Sequence, residues 1–356
     1  MNRYTNDAVE LLKRLIATPS VSRSESDAAD IMQQAMEEYG FTPHREGNNL
    51  WIMSCHWDDS LPTLLLNAHI DTVKPVATWQ RNPFIPIMEG DRLYGLGSND
   101  CGGGLVALLQ VFRAISARMD EDTATGRPPF NMIYLASCEE EVSGAGGIRA
   151  VLPLLPKVDV AIVGEPTGMQ PAIAERGLMV IDGVAHGKSG HAARNEGVNA
   201  IYEALDDLLF IRDYRFEKIS PLLGPTKMQC TVVNSGTQHN VVPDECRFII
   251  DVRTNEHYTN EEVFEFLQNK LKSSLKARSF HLHSSCIPEE HPLIQRCKAM
   301  GMQPFGSPTL SDQALMRFPS FKLGPGQSSR SHSADEFICI SEIDDAIAKY
   351  MRLLED

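Results

Sequence analysis

Apolar and polar positions at the start of the chain alternate with the spacing of amphipathic helices. Residues 5–17 and 26–39 carry an apolar side chain at every third or fourth position, which places those side chains on one helical face. The second segment closes at Gly40, a residue that often follows the end of a helix. We therefore predict two helices that each bury one face.

Further along, short and almost wholly apolar runs end abruptly in carboxylate or imidazole side chains. These runs are PTLLLNAHIDTV (62–73), NMIYLASCEEE (131–141) and VDVAIVGEPT (158–167). Such runs are typical of strands buried on both faces of a parallel sheet. Because functional groups of open α/β sheets collect beyond the carboxyl ends of the strands, we expect the three polar ends to share one edge. A strand within 49–57 and a helix at about 102–118 complete this part of the prediction.

The pattern changes after Gly177. It predicts strands at 179–187, 228–237, 246–254 and 280–287, and helices near 197–213 and 260–275. The order strand, helix, strand, strand, helix, strand is that of a ferredoxin-like unit. We therefore predict an α/β protein whose catalytic domain (1–174 and 287–356) has a mixed, mostly parallel sheet flanked by helices and carries an inserted ferredoxin-like α+β lid domain at 175–286.

Length, composition and charge limit the kinds of protein that this chain can be. The chain has 356 residues, of which 42% are hydrophobic and 22% charged, as in globular proteins large enough for more than one core. The formal net charge of -14, spread along the sequence, argues against nucleic acid and anionic membranes as partners. No apolar run approaches the roughly 20 residues of a membrane span. Eight scattered cysteines without CxxC spacing favour a reducing compartment, so we expect a cytoplasmic protein.

Side chains able to bind metal ions follow the predicted strands. His69 and Asp71 are two positions apart and so point to the same side of a strand. Asp100 lies in GLGSNDCGGG (95–104), where glycines let the backbone approach a ligand closely. Taken alone, the first pair could be a hydrogen-bonded surface pair, and Asp100 could simply cap the helix that follows.

Three consecutive glutamates, Glu139–Glu141, come directly after an apolar run. A solvated charged segment is the ordinary interpretation, but carboxylates at a buried strand end repel one another, and cations would compensate. Glu165 repeats the pattern in VGEPT, and His332 in GPGQSSRSHSADEF supplies a second imidazole. Two histidines with several carboxylates suit zinc, cobalt or manganese rather than a thiolate structural site.

Several motifs occur together in a familiar order. NAHIDTV, GLGSNDCGGG, EEE with a glycine-rich turn, VGEPT, GKSGHAA, and LGPG followed by HSADE resemble the motifs of the acetylornithine deacetylase and succinyl-diaminopimelate desuccinylase family. The resemblance spans nearly the whole chain. It implies a two-metal amidohydrolase with a lid domain. One departure is Gly102, where the family often has lysine; this position concerns the start of a helix rather than a ligand.

Carried over by position, the resemblance implies a set of metal ligands. His69, Asp100 and Glu165 correspond to the ligands of one divalent ion, and Asp100, Glu141 and His332 to those of the other, with Asp100 shared. Zinc is the expected metal, and cobalt and manganese are the alternatives.

The same resemblance implies catalytic roles. Asp71 corresponds to the carboxylate that orients His69, and Glu140 to the general base that transfers the proton of the attacking water. A slip of one position among the three glutamates would make Glu139 the base instead.

Substrate contacts are expected in the lid and near its hinge. The resemblance implies that His191 helps to stabilise the oxyanion, often across a dimer interface, although a histidine outside the site is the plain alternative. Asn240 and Arg253 are candidate substrate contacts, Arg253 as a carboxylate clamp. Arg176 and Arg330 are either clamps for an acyl carboxylate or ordinary surface arginines.

The implied function is hydrolysis of the amide bond of a small N-acyl amino acid. N-acetylornithine in arginine biosynthesis comes first, because LGPG and HSADEF resemble the deacetylase branch more closely. Succinylated ornithine, citrulline or diaminopimelate, or a small peptide, are the alternative substrates. A non-catalytic binding protein is a third hypothesis, disfavoured by the complete ligand set. We also expect a homodimer through the lid, since exposed sheet edges need pairing.

Overall fold

The computed structural model describes residues 2–121, 129–194 and 196–355. The α-helices in these ranges are α1 Arg3–Ile16, α2 Ser26–Glu38, α3 Gly103–Glu121, α4 Ile148–Val151, α5 Ala200–Asp213, α6 Asn260–Lys270, α7 Pro292–Ala299 and α8 Ile340–Glu355. The strands are β1 His44–Glu46, β2 Asn49–Met53, β3 Thr63–His69, β4 Ile87–Glu89, β5 Arg92–Tyr94, β6 Asn131–Ser137, β7 Val160–Val163, β8 Ala172–Glu175, β9 Met179–His186, β10 Gly190–His191, β11 Ile219–Ser220, β12 Gly224–Pro225, β13 Lys227–Ser235, β14 Val241–Val242, β15 Glu245–Arg253, β16 Ser274–Ala277, β17 Ser285–Cys286, β18 Phe305–Ser307, β19 Ser320–Lys322 and β20 Phe337–Cys339.

The first two helices form where the periodicity predicts them. Helix α1 begins after Asn2, whose side chain accepts a hydrogen bond from Thr5 N at 2.9 Å and so satisfies one free N–H of the first turn. Lys13 and Arg14 lie in the last turn, where positive charge complements the helix dipole. The buried face of α1 consists of Thr5, Ala8, Val9, Leu11, Leu12 and Ile16.

The chain divides into two compact units. The first comprises Met1–Ile173, Ile287–Phe305 and Ser311–Asp356, and the second Ala174–Cys286 with Gly306–Leu310. The sequence placed 306–310 in the catalytic domain. The structure assigns this stretch to the second unit, where Gly306 packs so closely on the backbone of Leu222 that a Cβ would lie 2.5 Å from its carbonyl oxygen. The other domain boundaries stay predictions.

A mixed sheet forms the centre of the first unit; its order begins β1-β2-β6-β3-β7-β19 and continues with β8. Four of its strands, β6, β3, β7 and β19, are parallel to one another, whereas β1 and β2 are antiparallel to their neighbours. Every residue of β3 and β6 is buried, as the continuous apolar runs predict. Helix α3 packs against β3, β6, α1 and α8, which confirms the predicted α/β class.

The predicted polar strand ends do share one edge of this sheet. His69 at the end of β3 is in register with Ser137 at the end of β6, and Asn67 is in register with Val163 at the end of β7. Since these strands are parallel, the residues that follow them emerge on the same side. This edge carries the polar side chains described below.

The second unit contains the predicted ferredoxin-like fold. Its sheet is antiparallel in the order β13-β15-β9-β16, and α5 and α6 supply the helices. Its core consists of Met179, Ile181, Ile211, Phe216, Phe248, Ile250, Val252, Val263, Leu267 and Leu271.

Two predicted boundaries in this unit are wrong. The second helix ends at Lys270, and the fourth strand is Ser274–Ala277 rather than 280–287. The carboxylate of Asp207 accepts hydrogen bonds from Lys272 N at 3.0 Å and Ser273 N at 2.8 Å, and so turns the chain out of the helix before residue 275. Within the described ranges, no helix is long and apolar enough to cross a membrane.

Candidate metal centre

The imidazole of His69 is the centre of a buried group of carboxylates at the sheet edge. Its Nε2 lies 3.4 Å from Asp100 Oδ1, 3.7 Å from Glu165 Oε1 and 4.0 Å from Glu140 Oε2. His69 is 2% exposed. Among the residues that the structure describes, neither His69 Nε2 nor Glu165 Oε1 has a hydrogen-bond partner. Two buried polar atoms therefore face each other without the partners that burial normally demands.

A second group forms around His332. Its Nε2 lies 2.9 Å from Glu141 Oε2 and 3.6 Å from Asp100 Oδ2. The hydrogen bond to Glu141, together with the charge of Asp100, raises the pKa of His332 to about 9. Asp100 thus turns one oxygen towards each histidine, and the two groups share it.

The side chains fit two divalent ions. Two atoms that each bind a tetrahedral zinc at about 2.0–2.2 Å lie roughly 3.4 Å apart, close to the His69–Asp100 and His332–Asp100 distances. Atoms of His69, Asp100 and Glu141 all lie within 4.8 Å of one another. The unpartnered atoms are an imidazole nitrogen and a carboxylate oxygen, which are donors that zinc, cobalt and manganese accept.

Electrostatics at this edge also favour cations. Burial, reinforced by the charge of Asp100, raises the pKa of Glu165 to about 8. Burial likewise raises the pKa of Glu140 well above its usual range, with contributions from Glu165 and Asp312. Buried carboxylates that disfavour one another's charge in this way would be stabilised as anions by divalent ions.

Asp71 organises both sides of the site. Its carboxylate accepts hydrogen bonds from Glu140 N at 3.0 Å, Glu141 N at 3.2 Å and Ser22 Oγ at 2.6 Å. Its backbone oxygen lies 2.8 Å from His69 Nδ1, whereas its carboxylate is 3.6 Å from the same nitrogen. Asp71 therefore orients the His69 imidazole through its backbone oxygen. Its side chain orients the turn that carries Glu140 and Glu141.

The three consecutive glutamates point in different directions. Glu139 has a left-handed backbone conformation (φ 54°), and a short 3-10 turn follows at Glu140–Val142. The Glu139 carboxylate accepts a hydrogen bond from Gly146 N at 3.3 Å, and a Cβ on Gly144 would clash with it. Glu140 faces His69 and Glu141 faces His332. Only the latter two glutamates contact the histidines.

Three further polar groups were not predicted as parts of the site. Glu336 is buried and accepts hydrogen bonds from the N–H groups of residues 97, 99 and 100. Burial raises the pKa of Glu336 to about 8, although these N–H groups lower it. Asp312 accepts a hydrogen bond from Ser137 Oγ at 2.6 Å. The buried Cys101 thiol accepts one from His69 N at 3.2 Å, and atoms of His69, Cys101 and Glu165 lie within 4.8 Å of one another.

A sequence signal existed for only part of this group. Glu336 belongs to the HSADEF segment, and Cys101 adjoins Asp100, so both were inside motifs already noted. Asp312 lies in a short 3-10 helix, Asp312–Leu315, far along the chain from β6. No local pattern indicates its contact with Ser137.

In the second unit, two of the predicted lid residues are neighbours. Strand β10 pairs with β14, so that His191 is opposite Val241, and Ala192 N donates to the backbone oxygen of Asn240 at 3.1 Å. The His191 imidazole accepts a hydrogen bond from Ala193 N at 3.1 Å through Nδ1.

The predicted arginines all have partners of their own. Arg253 binds the Asp251 carboxylate at 2.8 and 3.0 Å. Arg176 is buried and donates to the backbone oxygens of Leu223 and Pro225. In the first unit, Arg330 binds Glu342 at 2.7 and 3.1 Å and lies 4.5 Å over the ring of Phe337.

Comparison with known proteins agrees with this arrangement. Residues 65–356 match the model of peptidase family M20/M25/M40. The chain belongs to the M20 family. It is 26% identical to acetylornithine deacetylase of Proteus mirabilis, over all of this chain and 98% of that protein. It is also 26% identical to succinyl-diaminopimelate desuccinylase of Wolbachia pipientis, over 78% of this chain and 72% of that protein.

A solved structure shows the same fold. A Bacillus subtilis protein described as a dinuclear-metal-binding peptidase of the M20 family superposes with a TM-score of 0.73 at 16% identity, over 99% of this chain and 97% of that one. The family resemblance inferred from the motifs is confirmed. This M20 protein is accordingly a metal-dependent amidohydrolase, and its substrates are small molecules.

Proposed function

We propose that this M20 amidohydrolase removes the acetyl group from a small N-acetyl amino acid, with N-acetylornithine as the first candidate, and that it acts in arginine biosynthesis. The observation that carries the proposal is Asp100, whose two oxygens lie 3.4 Å from His69 Nε2 and 3.6 Å from His332 Nε2. A carboxylate shared in this way supports a two-metal centre. His69, Asp100 and Glu165 would hold one ion, and Asp100, Glu141 and His332 the other.

Zinc is the first candidate for both ions, and cobalt and manganese are the alternatives, because the donors are imidazole and carboxylate. Two such ions, when bound, would lower the pKa of water and polarise an amide carbonyl. Glu140 accepts the proton of the attacking water at its carboxylate and later delivers it to the leaving nitrogen. Asp71 keeps Glu140 and Glu141 in place by binding their backbone N–H groups. His191 is the proposed donor to the developing oxyanion, and Asn240 is a proposed substrate contact. Arg253 is the weaker candidate, because its guanidinium already binds the Asp251 carboxylate.

The contacts of the arginines support an acetyl rather than a succinyl group. A succinyl carboxylate needs a cationic partner once water is excluded. The guanidinium of Arg330 already binds Glu342, and that of Arg176 already binds two backbone oxygens. Succinylated ornithine, citrulline or diaminopimelate remains the second candidate class, which the desuccinylase relative supports, and a small peptide is the third, which the peptidase relative supports.

A substrate panel tests this choice. The acetyl and succinyl forms of ornithine and citrulline, and succinyl-diaminopimelate, are compared by kcat/KM. We expect acetylornithine to be the best substrate, and the succinyl-to-acetyl ratio to be the same in wild type and Arg330→Ala, because Arg330 is bound to Glu342. Arg149→Ala, at an exposed position of α4, is the matched control. A preference for a succinyl form, or a ratio about tenfold lower in Arg330→Ala alone, would contradict the proposal.

We also propose a homodimer formed through the lid. Helix α5 exposes Ile201, Tyr202, Leu205 and Leu209 along one stripe, and the adjacent edge strand β13 exposes Val232 and Val233. An apolar stripe beside an unpaired strand edge is typical of a surface that another chain covers.

Light scattering on the full chain tests this proposal. We expect a mass of two chains, 2 × 39.5 = 79 kDa, and we expect Leu205→Glu to shift the protein towards a single chain by placing a charge in the apolar stripe. Glu203→Gln, on another face of α5, is the matched control. A wild-type mass of one chain at micromolar concentration would refute the dimer.

The proposed compartment is the cytoplasm. The eight cysteines are scattered along the chain without CxxC spacing, as is usual for proteins of a reducing environment.

A further inference from the structure

We infer that Glu336 is a positioning residue that holds Asp100 in place and thereby sets the spacing of the two metal positions. The inference rests on the proposed function, because it assumes that Asp100 binds both ions. Glu336 is not one of the proposed metal ligands. Its effect would pass through the backbone of the Asp100 loop.

The first support is the set of hydrogen bonds that the Glu336 carboxylate accepts. Oε1 accepts from Asn99 N at 2.8 Å and Asp100 N at 2.9 Å, and Oε2 accepts from Gly97 N at 3.2 Å. All three donors belong to one short loop, and Glu336 is 2% exposed. Both oxygens of this one side chain accept N–H groups of the same loop, so Glu336 defines the path of the loop at Asp100.

The second support is the position of Glu336 in the chain. It follows His332 by four residues, and its backbone oxygen accepts a hydrogen bond from Gly95 N at 3.0 Å. The side chain of Asn99 binds back to the same segment, donating to Gln327 O at 3.0 Å and accepting from Gln327 N at 2.9 Å. The loop that carries Asp100 is therefore tied on both sides to the segment that carries His332.

These hydrogen bonds affect the distance between Asp100 and His332. Asp100 Oδ2 lies 3.6 Å from His332 Nε2, and this distance depends on how the two segments are held together. Groups that orient metal ligands without binding the metal typically contribute 10–100-fold to metal affinity. Glu336 meets that description for Asp100 as Asp71 does for the glutamate turn.

The substitution Glu336→Gln removes the negative charge that an ionised carboxylate can carry and replaces one acceptor oxygen with an NH2 donor. The carboxamide has the same shape, but its NH2 group would face at least one of the three backbone N–H groups, leaving two buried donors opposed. Glu336→Asp keeps the charge but is one methylene shorter, so it reaches fewer of the donors. We expect its effect to lie between those of wild type and Glu336→Gln.

The experiment is a titration of the metal-stripped full chain with Zn²⁺ against a chelator, repeated with Co²⁺ to record the visible absorption spectrum. We expect two equivalents in wild type, a loss of affinity of about 10–100-fold in Glu336→Gln, an altered Co²⁺ spectrum, and partial recovery in Glu336→Asp. Glu342→Gln is the matched control, since Glu342 also accepts a backbone N–H in this segment, that of Cys339 at 2.9 Å. Its affinity should equal that of wild type.

The outcomes separate this inference from the proposed function. A wild-type chain that binds fewer than two equivalents overturns the two-metal proposal and, with it, the role of Glu336. Two equivalents in wild type with equal affinity in Glu336→Gln overturns the positioning role alone. If Glu336→Gln does not fold, as judged by circular dichroism, Glu336→Asp decides: wild-type affinity in that folded variant also overturns the role.

Discussion

Glu140→Gln is expected to lower kcat at least about 100-fold, the contribution typical of general acid–base catalysis, while two equivalents of metal stay bound. The carboxamide has the shape of the glutamate but cannot accept the proton of water. Glu140 lies 4.0 Å from His69 Nε2, and its backbone N–H is held by Asp71, so the variant keeps the turn intact. Turnover is measured on the best substrate of the panel, and metal content by elemental analysis after gel filtration.

Glu139→Gln is the matched control for this experiment. The Glu139 carboxylate accepts a hydrogen bond from Gly146 N and lies against the glycine-rich turn, so we expect this variant to keep most of its turnover. If Glu139→Gln is inactive while Glu140→Gln loses metal, the assignment of the three glutamates is displaced by one position.

Asp100→Ala is expected to abolish tight binding of both ions and to reduce turnover to background. In the proposed two-metal centre each ion would lose a ligand, because the two oxygens of Asp100 face different histidines. The loss should exceed the roughly 10–100-fold effect of residues that only orient ligands. Metal stoichiometry is measured by elemental analysis after dialysis against a weak chelator.

Glu165→Gln provides the comparison for Asp100→Ala. Glu165 Oε1 lies 3.7 Å from His69 Nε2, on the side of one proposed ion only, so we expect this variant to lose one equivalent and keep the other. One tightly bound ion in Asp100→Ala would show that Asp100 is not shared.

Several features could be predicted before the structure because they depend on local pattern. Apolar runs of seven buried residues identify β3 and β6, since a strand covered on both faces needs apolar side chains at every position. Parallel pairing then brings their carboxyl ends together, which is why His69 and the glutamates were expected at one edge. The motifs themselves were sufficient to identify the family.

Local pattern was insufficient where a long-range contact decides the outcome. The helical periodicity after Asn260 continues past Lys270, but the Asp207 carboxylate binds the N–H groups of Lys272 and Ser273 and ends the helix. The sequence contains no sign of this contact, because Asp207 lies on α5, far from these residues along the chain.

The sequence by itself determined the types of chemical group at the sheet edge, the main helices and strands before residue 270, and the family. Only the tertiary structure decided the directions and partners of individual side chains: Glu139 turns towards the glycines, Arg330 is held by Glu342, and Glu336 reaches the N–H of Asp100. The physical reason is that periodicity reports which face of an element is buried. The partner of a buried polar group is set instead by which distant segment supplies a complementary atom within hydrogen-bond distance.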